Sequence, residues 1–146
     1  MSLKGYFRPR NPSKYKGDPK NIVYRSSWEL KLMGYLDGHP DVLEWSSEEI
    51  IVPYRSPLDR KIHRYFPDFW VKRRSATDGS VEVIVIEVKP LKETMEPKPQ
   101  TKMTKRYLRE VATWGVNQAK WKAAEEFCKD RNWKFIKRTE LQLGIK

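Results

Sequence analysis

The sequence predicts a mixed α+β (α/β) domain, a sheet with helices packed on its faces. Three observations predict it. The stretch VEVIVIEVKP, residues 81–90, is apolar on both sides of an extended chain, as in a strand buried mid-sheet. Shorter strand-like runs precede it, separated by turn residues, and helix-like runs lie near both ends of the chain. The resulting order is helix, three-stranded antiparallel meander, helix, strand. At 146 residues the chain is most simply one domain, long enough to bury about 70% of the surface its unfolded form exposes.

Residues 1–25 carry seven Lys or Arg, a single acid, Asp18, and three prolines, with Tyr6, Phe7, Tyr15 and Tyr24 between them. This composition predicts an extended basic arm rather than a core element, ahead of a folded domain over 26–146. Such an arm either follows a phosphate backbone through Arg8, Arg10, Lys14, Lys16 and Arg25 or packs loosely on its own domain. A helix is predicted at SSWELKLMGYLDG, where Ser26 stands three residues ahead of Glu29 as in a capping box and Gly38 marks the stop. The strands expected next are VLEW, EEIIVPYR and KIHRYFPDFWVKR, with turns at SPLD and ATDGS. After the apolar strand, KPLKETMEPKPQTK reads as a loop. Two helical runs, TKRYLREVATW and NQAKWKAAEEFCKDRN, and a short strand, WKFIK, complete the pattern.

Charge narrows the function. Thirty Lys plus Arg against 19 Asp plus Glu leave a formal net charge of +11, which favours a polyanionic partner, most often nucleic acid. An anionic membrane surface is a weaker match, because no stretch approaches the ~20 apolar residues of a spanning helix. The single cysteine, Cys128, cannot form an internal disulfide, and MSLKGYFRPR lacks the apolar run of a secretory signal, so the expected compartment is the cytoplasm. With one cysteine and two histidines, His39 and His63, the chain offers no zinc-ligand cluster and no Cys–His catalytic pair.

The charges that interrupt the apolar strand carry the chemistry. Alternation puts Glu87 and Lys89 on one face. If the strand containing PDFW pairs with it through ATDGS, Asp68 lies almost opposite Glu87, with Cβ atoms ~5 Å apart. Two carboxylates ~4 Å apart repel by roughly 4 kcal/mol at an effective dielectric near 20, so a positive charge belongs between them. Lys89 is one candidate. A hard divalent cation, Mg²⁺ with Mn²⁺ as a substitute, answers the geometry better, because it also bridges acidic groups to a DNA phosphate. Such an ion polarises the phosphoryl group and activates water, while Lys89 orients that water or stabilises developing charge. Asp68 and Glu87 as simple strand-end acids, and Glu87–Lys89 as a surface ion pair, are the competing readings. Lys102, Lys105, Arg106 and Arg109 form a basic stripe that either grips phosphate or is a solvated face.

Asp68 in PDF followed by Glu87-Val88-Lys89 resembles the signature of the PD-(D/E)xK, or restriction-endonuclease-like, nucleases, and the element order is similar to their core. YRSSWELKLMGYLD, YFPDFWV, IEVKP, NQAKWKAAEEFC and FIKRTEL more specifically resemble the Tn7-transposase-endonuclease type and the head-completion nucleases of T4-like tailed phages. The resemblance implies magnesium bound by Asp68, Glu87 and the Val88 carbonyl, with Lys89 assisting water. It implies that an acid from the first helix, here Glu29, joins them, whereas the capping box offers Glu29 a purely structural role. Some relatives carry a glutamine on the following helix, matched by Gln118, with tyrosine four residues on; here that position is Lys122. The implied activity is DNA endonuclease cleavage at the portal end of a filled head, in host cytoplasm or virion, with portal or neck proteins as partners. Exonuclease action on ends, a transposase-type or junction-resolving nuclease, and a non-catalytic DNA-binding neck protein stay open as alternatives.

Overall fold

The computed structural model describes residues 4–139, so Glu140 and Leu141 of the FIKRTEL motif and the remaining C-terminal positions of the expected 26–146 domain lie outside the described residues. The elements run β1 (Gly5–Phe7), β2 (Ile22–Tyr24), α1 (Ser27–Gly38), β3 (Val42–Ser47), β4 (Val52–Arg55), β5 (Ile62–Tyr65), β6 (Phe69–Arg74), β7 (Val81–Val88), α2 (Lys105–Asp130) and β8 (Lys134–Arg138). Short 3₁₀ turns occupy Pro12–Lys14 and Leu91–Thr94. A four-stranded sheet of order β3-β6-β7-β8 is antiparallel except for the parallel β7–β8 pair. This is the mixed α+β architecture that the sequence predicts, consistent with a restriction-endonuclease-like fold.

Both faces of β7 are covered, which explains its near-continuous apolar sequence. Ile84 and Ile86 pack with Leu32, Met33 and Leu36 of α1, around the fully buried Trp45 and Phe69. Val85 and Trp70, on the opposite face, meet Cys128 and Phe127 of α2. Phe69 pairs with Ile86 and Arg74 with Val81, so the β6–β7 turn falls at ATDGS as expected. Gly79 supplies the positive φ of 72° that this turn needs.

Three expectations fail for physical reasons. Three antiparallel strands, β3, β6 and β7, do form, but not all the expected runs join them: β4 pairs with β5 in a separate hairpin, and KIHRYFPDFWVKR divides at the buried Pro67 between that hairpin and the main sheet. Proline has no N–H for a ladder, so the chain leaves one sheet there and joins the next. The two helical runs are a single helix of 26 residues through Gly115. Glycine costs roughly 1 kcal/mol relative to alanine in a helix interior, and the buried ridge Asn117, Trp121, Ala124 and Cys128 offsets that. Residues 4–25 are not an extended arm. β1 and β2 pair with each other, and Tyr15 and Ile22 enter the core under Trp45. Their aromatic and aliphatic side chains decide the outcome over the basic ones, whose charged ends remain near solvent.

Candidate active site

The predicted acid pair forms where β6 begins and β7 ends. Extending the register one step beyond Phe69↔Ile86 puts Asp68 beside Glu87, on the α2 face. Asp68 Oδ2 accepts the Val88 backbone N–H at 2.7 Å, and the Asp68 carbonyl accepts the N–H of Glu48 at 3.1 Å. These two bonds lock the residue at the break between the sheets. Glu87 is 5% exposed, and its Oε1 is buried without a hydrogen-bond partner. Its other oxygen, Oε2, lies 3.8 Å from Lys89 Nζ. Tyr65, the last residue of β5, is buried with its hydroxyl against the same carboxylate.

The electrostatics follow from that burial. Desolvation and then the Glu87 charge push the Asp68 carboxyl well above the usual carboxylate range, against the opposing Val88 N–H. Desolvation likewise raises Glu87, while Tyr65 and Lys89 pull it down. Burial and the Glu87 charge drive the Tyr65 phenol upward. A buried Glu87 and a half-buried Asp68 that resist ionising together, the former with an oxygen that accepts no hydrogen bond, are poised for a cation. Both supply hard oxygens, so the donor set fits Mg²⁺ or Mn²⁺. Among the described residues no three Asp, Glu, His or Cys side chains form a metal cluster, so a third protein ligand would come from the main chain.

Glu29 reproduces the capping box in a shifted form. Its N–H donates to Ser26 Oγ at 3.1 Å, and its Oε2 accepts from Ser26 Oγ at 3.2 Å and from the Arg25 N–H at 3.3 Å. Burial raises its pKa, and its charge reaches Asp68 without joining it. Gln118 is half-buried on α2 with no hydrogen bond to either acid, whereas its neighbour Asn117 is buried on the helix face shared with Trp121. Cys128 is 1% exposed, and burial pushes its thiol up to about 11, which suits a packing residue.

The expected DNA contacts divide into engaged and exposed groups. Lys14 donates to the Asp37 and His39 carbonyls at 3.0 and 2.8 Å, so it caps the C-terminus of α1 rather than projecting toward phosphate. Arg25 pairs with Glu48, whereas Lys16 is exposed and keeps its charge, its Nζ resting 4.6 Å from the centre of the Trp70 ring. Arg8 and Arg10 are exposed. Lys102 lies in the loop before α2 rather than in a helical stripe; Lys105, Arg106 and Arg109 occupy the first turns of the helix. Arg106 and Arg109, with Lys92, Lys98, Tyr107 and Trp114, line an open groove of about 1150 Å³ that begins at Pro90, directly after Lys89.

Sequence reasoning missed Glu48, Tyr65, Lys120 and Lys137 around this site. Glu48 adopts a left-handed φ of 55°, rare for a non-glycine residue, and thereby aims its N–H at Asp68. No local sequence signal marks it; the Tyr65 position, three before Asp68, was legible only had the strand break at Pro67 been foreseen.

A family model of the TnsA-like endonuclease N-terminal domain matches residues 39–140, which contain Asp68, Glu87 and Lys89. The chain belongs to the TnsA-like endonuclease family. The match begins just past α1, so Glu29 lies outside it. The chain is also similar to the head completion nuclease of Enterobacteria phage T4, 42% identical over 144 residues that cover 96% of this chain and 93% of that protein.

Proposed function

We propose that this TnsA-like endonuclease hydrolyses DNA phosphodiester bonds with a magnesium ion held by Asp68, Glu87 and the Val88 carbonyl, and that it acts in phage head completion. One observation carries the chemistry: Asp68 and Glu87 converge beside Lys89 with a buried Glu87 oxygen lacking any partner. The head-completion role rests on 42% identity to a nuclease of that name, over nearly the full length of both chains.

When bound, magnesium supplies Lewis acidity at the scissile phosphate and a path between acidic side chains and the polyanion; manganese substitutes. The chain does the rest. The Val88 N–H fixes the Asp68 carboxylate through Oδ2, so that Asp68 would be held in place as a ligand. Lys89, on the face of Glu87 and partly exposed, holds the attacking water by hydrogen bond and stabilises negative charge growing on the phosphoryl oxygens. Lys92, Lys98 and Arg109 draw the duplex toward the groove that opens after Lys89. Portal-end proteins are the partners this role implies.

The test is nicking of supercoiled plasmid. Cleavage with Mg²⁺ or Mn²⁺, abolished by EDTA and by Lys89→Met or Glu87→Ala with DNA retardation retained, is the expected result. Retardation without cleavage in any divalent metal would reduce the protein to a DNA-binding module.

A further inference from the structure

The ion pairs of the molecule separate its cations into two kinds. Arg25, Lys72, Arg73, Arg106 and Lys134 each face a carboxylate that neutralises them locally. Lys120 and Lys137 form no ion pair with a described carboxylate; each rests on aromatic rings instead. Lys137 Nζ lies 4.6 Å from the centre of the Trp121 ring, and Lys120 Nζ lies 5.6 Å from that of Tyr65 and 5.8 Å from that of Tyr54.

Their location is specific. Lys137 is the in-register partner of Glu87 across the parallel β7–β8 pair, so both side chains leave the same face of strands about 4.8 Å apart. Even so, its ammonium turns to Trp121 rather than to Glu87. Lys120 lies over the ring of Tyr65, whose hydroxyl is buried against Glu87. Trp121 and Tyr65 belong to one buried cluster, so a rigid aromatic platform beside the acids carries both cations. An aromatic face orders an ammonium group without cancelling its charge, and an uncancelled cation is what a phosphodiester can use.

We propose that Lys120 and Lys137 are phosphate-binding residues of the cleavage site, two ammonium groups held ready on the Tyr65–Trp121 platform to take backbone phosphates of the DNA strand being cut. This rests on the nuclease reading above. Neither residue is suggested by the Asp-Glu-Lys signature, because their placement depends on α2 packing and on the β8 register. Binding a phosphate in substrate and transition state alike lowers KM and leaves kcat nearly unchanged, unlike Lys89.

The experiment measures binding of a short fluorescent duplex over a salt series, with EDTA present to prevent hydrolysis, alongside Mg²⁺-dependent cleavage kinetics. Lys137→Gln and Lys120→Gln should each reduce the magnitude of the log K against log salt slope by about 0.9, and the double variant by about 1.8. KM should rise several-fold with kcat within about twofold. Lys137→Arg should restore the slope, and Lys134→Gln, whose charge is already paired 3.0 Å from Glu82, should leave it unchanged. If the Gln variants melt early, Lys137→Met and Lys120→Met keep the packed stem and replace them. Wild-type cleavage and binding with unaltered slopes in folded variants would overturn this inference alone. A loss of slope in Lys134→Gln equal to that in Lys137→Gln would overturn it too, as mere net-charge loss. A wild type that neither binds nor cuts DNA would overturn the nuclease reading and this inference with it.

Discussion

Replacing Glu87 by glutamine should abolish cleavage while stabilising the metal-free protein. The side chain is 5% exposed, and its Oε1 has no partner, an omission that costs about 1–3 kcal/mol for a buried acceptor. Repulsion from Asp68 adds roughly 4 kcal/mol if both acids ionise ~4 Å apart at an effective dielectric near 20. Lys89 Nζ, 3.8 Å from Oε2, returns about 4 kcal/mol at the same dielectric, less the screening that a partly exposed ammonium suffers. The repulsion and attraction nearly cancel, so the burial of a charged carboxylate whose Oε1 accepts no hydrogen bond sets the balance, and a neutral amide of the same shape is spared the charged part of that cost. Without metal, Glu87→Gln should therefore gain about 1–3 kcal/mol near pH 8. At this chain length that raises Tm by about 3 °C per kcal/mol.

The pH dependence has a definite sign. Asp68 and Glu87 titrate higher folded than unfolded, so the folded chain holds more protons, and metal-free stability falls as pH rises through their raised pKa values. The Tm advantage of Glu87→Gln should thus widen from about pH 5 to about pH 8. Differential scanning calorimetry in EDTA reads this; adding Mg²⁺ should raise wild-type Tm and leave the variant's unchanged. A variant that nicks plasmid at the wild-type rate refutes the centre. One that melts below wild type near pH 8 without metal refutes the energetic account.

Two further substitutions test the frame around the site. Ser26→Ala removes the acceptor for the Glu29 N–H and should cost about 1 kcal/mol in urea denaturation, with plasmid nicking retained. Tyr15→Ala opens a cavity beneath Trp45 and breaks the bond from the Ser47 N–H at 3.2 Å, so a loss of about 3–5 kcal/mol is expected. An unchanged denaturation midpoint for Tyr15→Ala would show that the N-terminal segment is dispensable to the core.

The chemistry was more legible than the frame that holds it. Period-two alternation places Glu87 and Lys89 on one face, and the turn at ATDGS sets the distance that returns Asp68 to them. Both are local signals, strong because a slip of one residue would turn every side chain over. The roles of residues 5–25, of Pro67 and of Gly115 depend on distant partners. Seven basic residues dominate the composition of the first segment, yet Tyr15 and Ile22 decide where it packs. Gly115 looks like a stop until the buried ridge from Asn117 to Cys128 carries the helix across it. Lys14 has the charge of a phosphate contact, and only the nearby end of α1 shows what it is bonded to. Lys120 and Lys137 sit beside the acids through a helix crossing and a parallel register, neither of which is written in any short run of sequence.

The β6–β7 hairpin keeps its two ends apart: the acids stand where Phe69 meets Ile86, and the loop around Gly79 closes the far end past Arg74 and Val81. That loop is exposed, so its length is free to vary without moving the hydrolytic atoms. An accessory module grafted at residues 76–79 could thus give the enzyme a new address on DNA and leave its cutting machinery as it is.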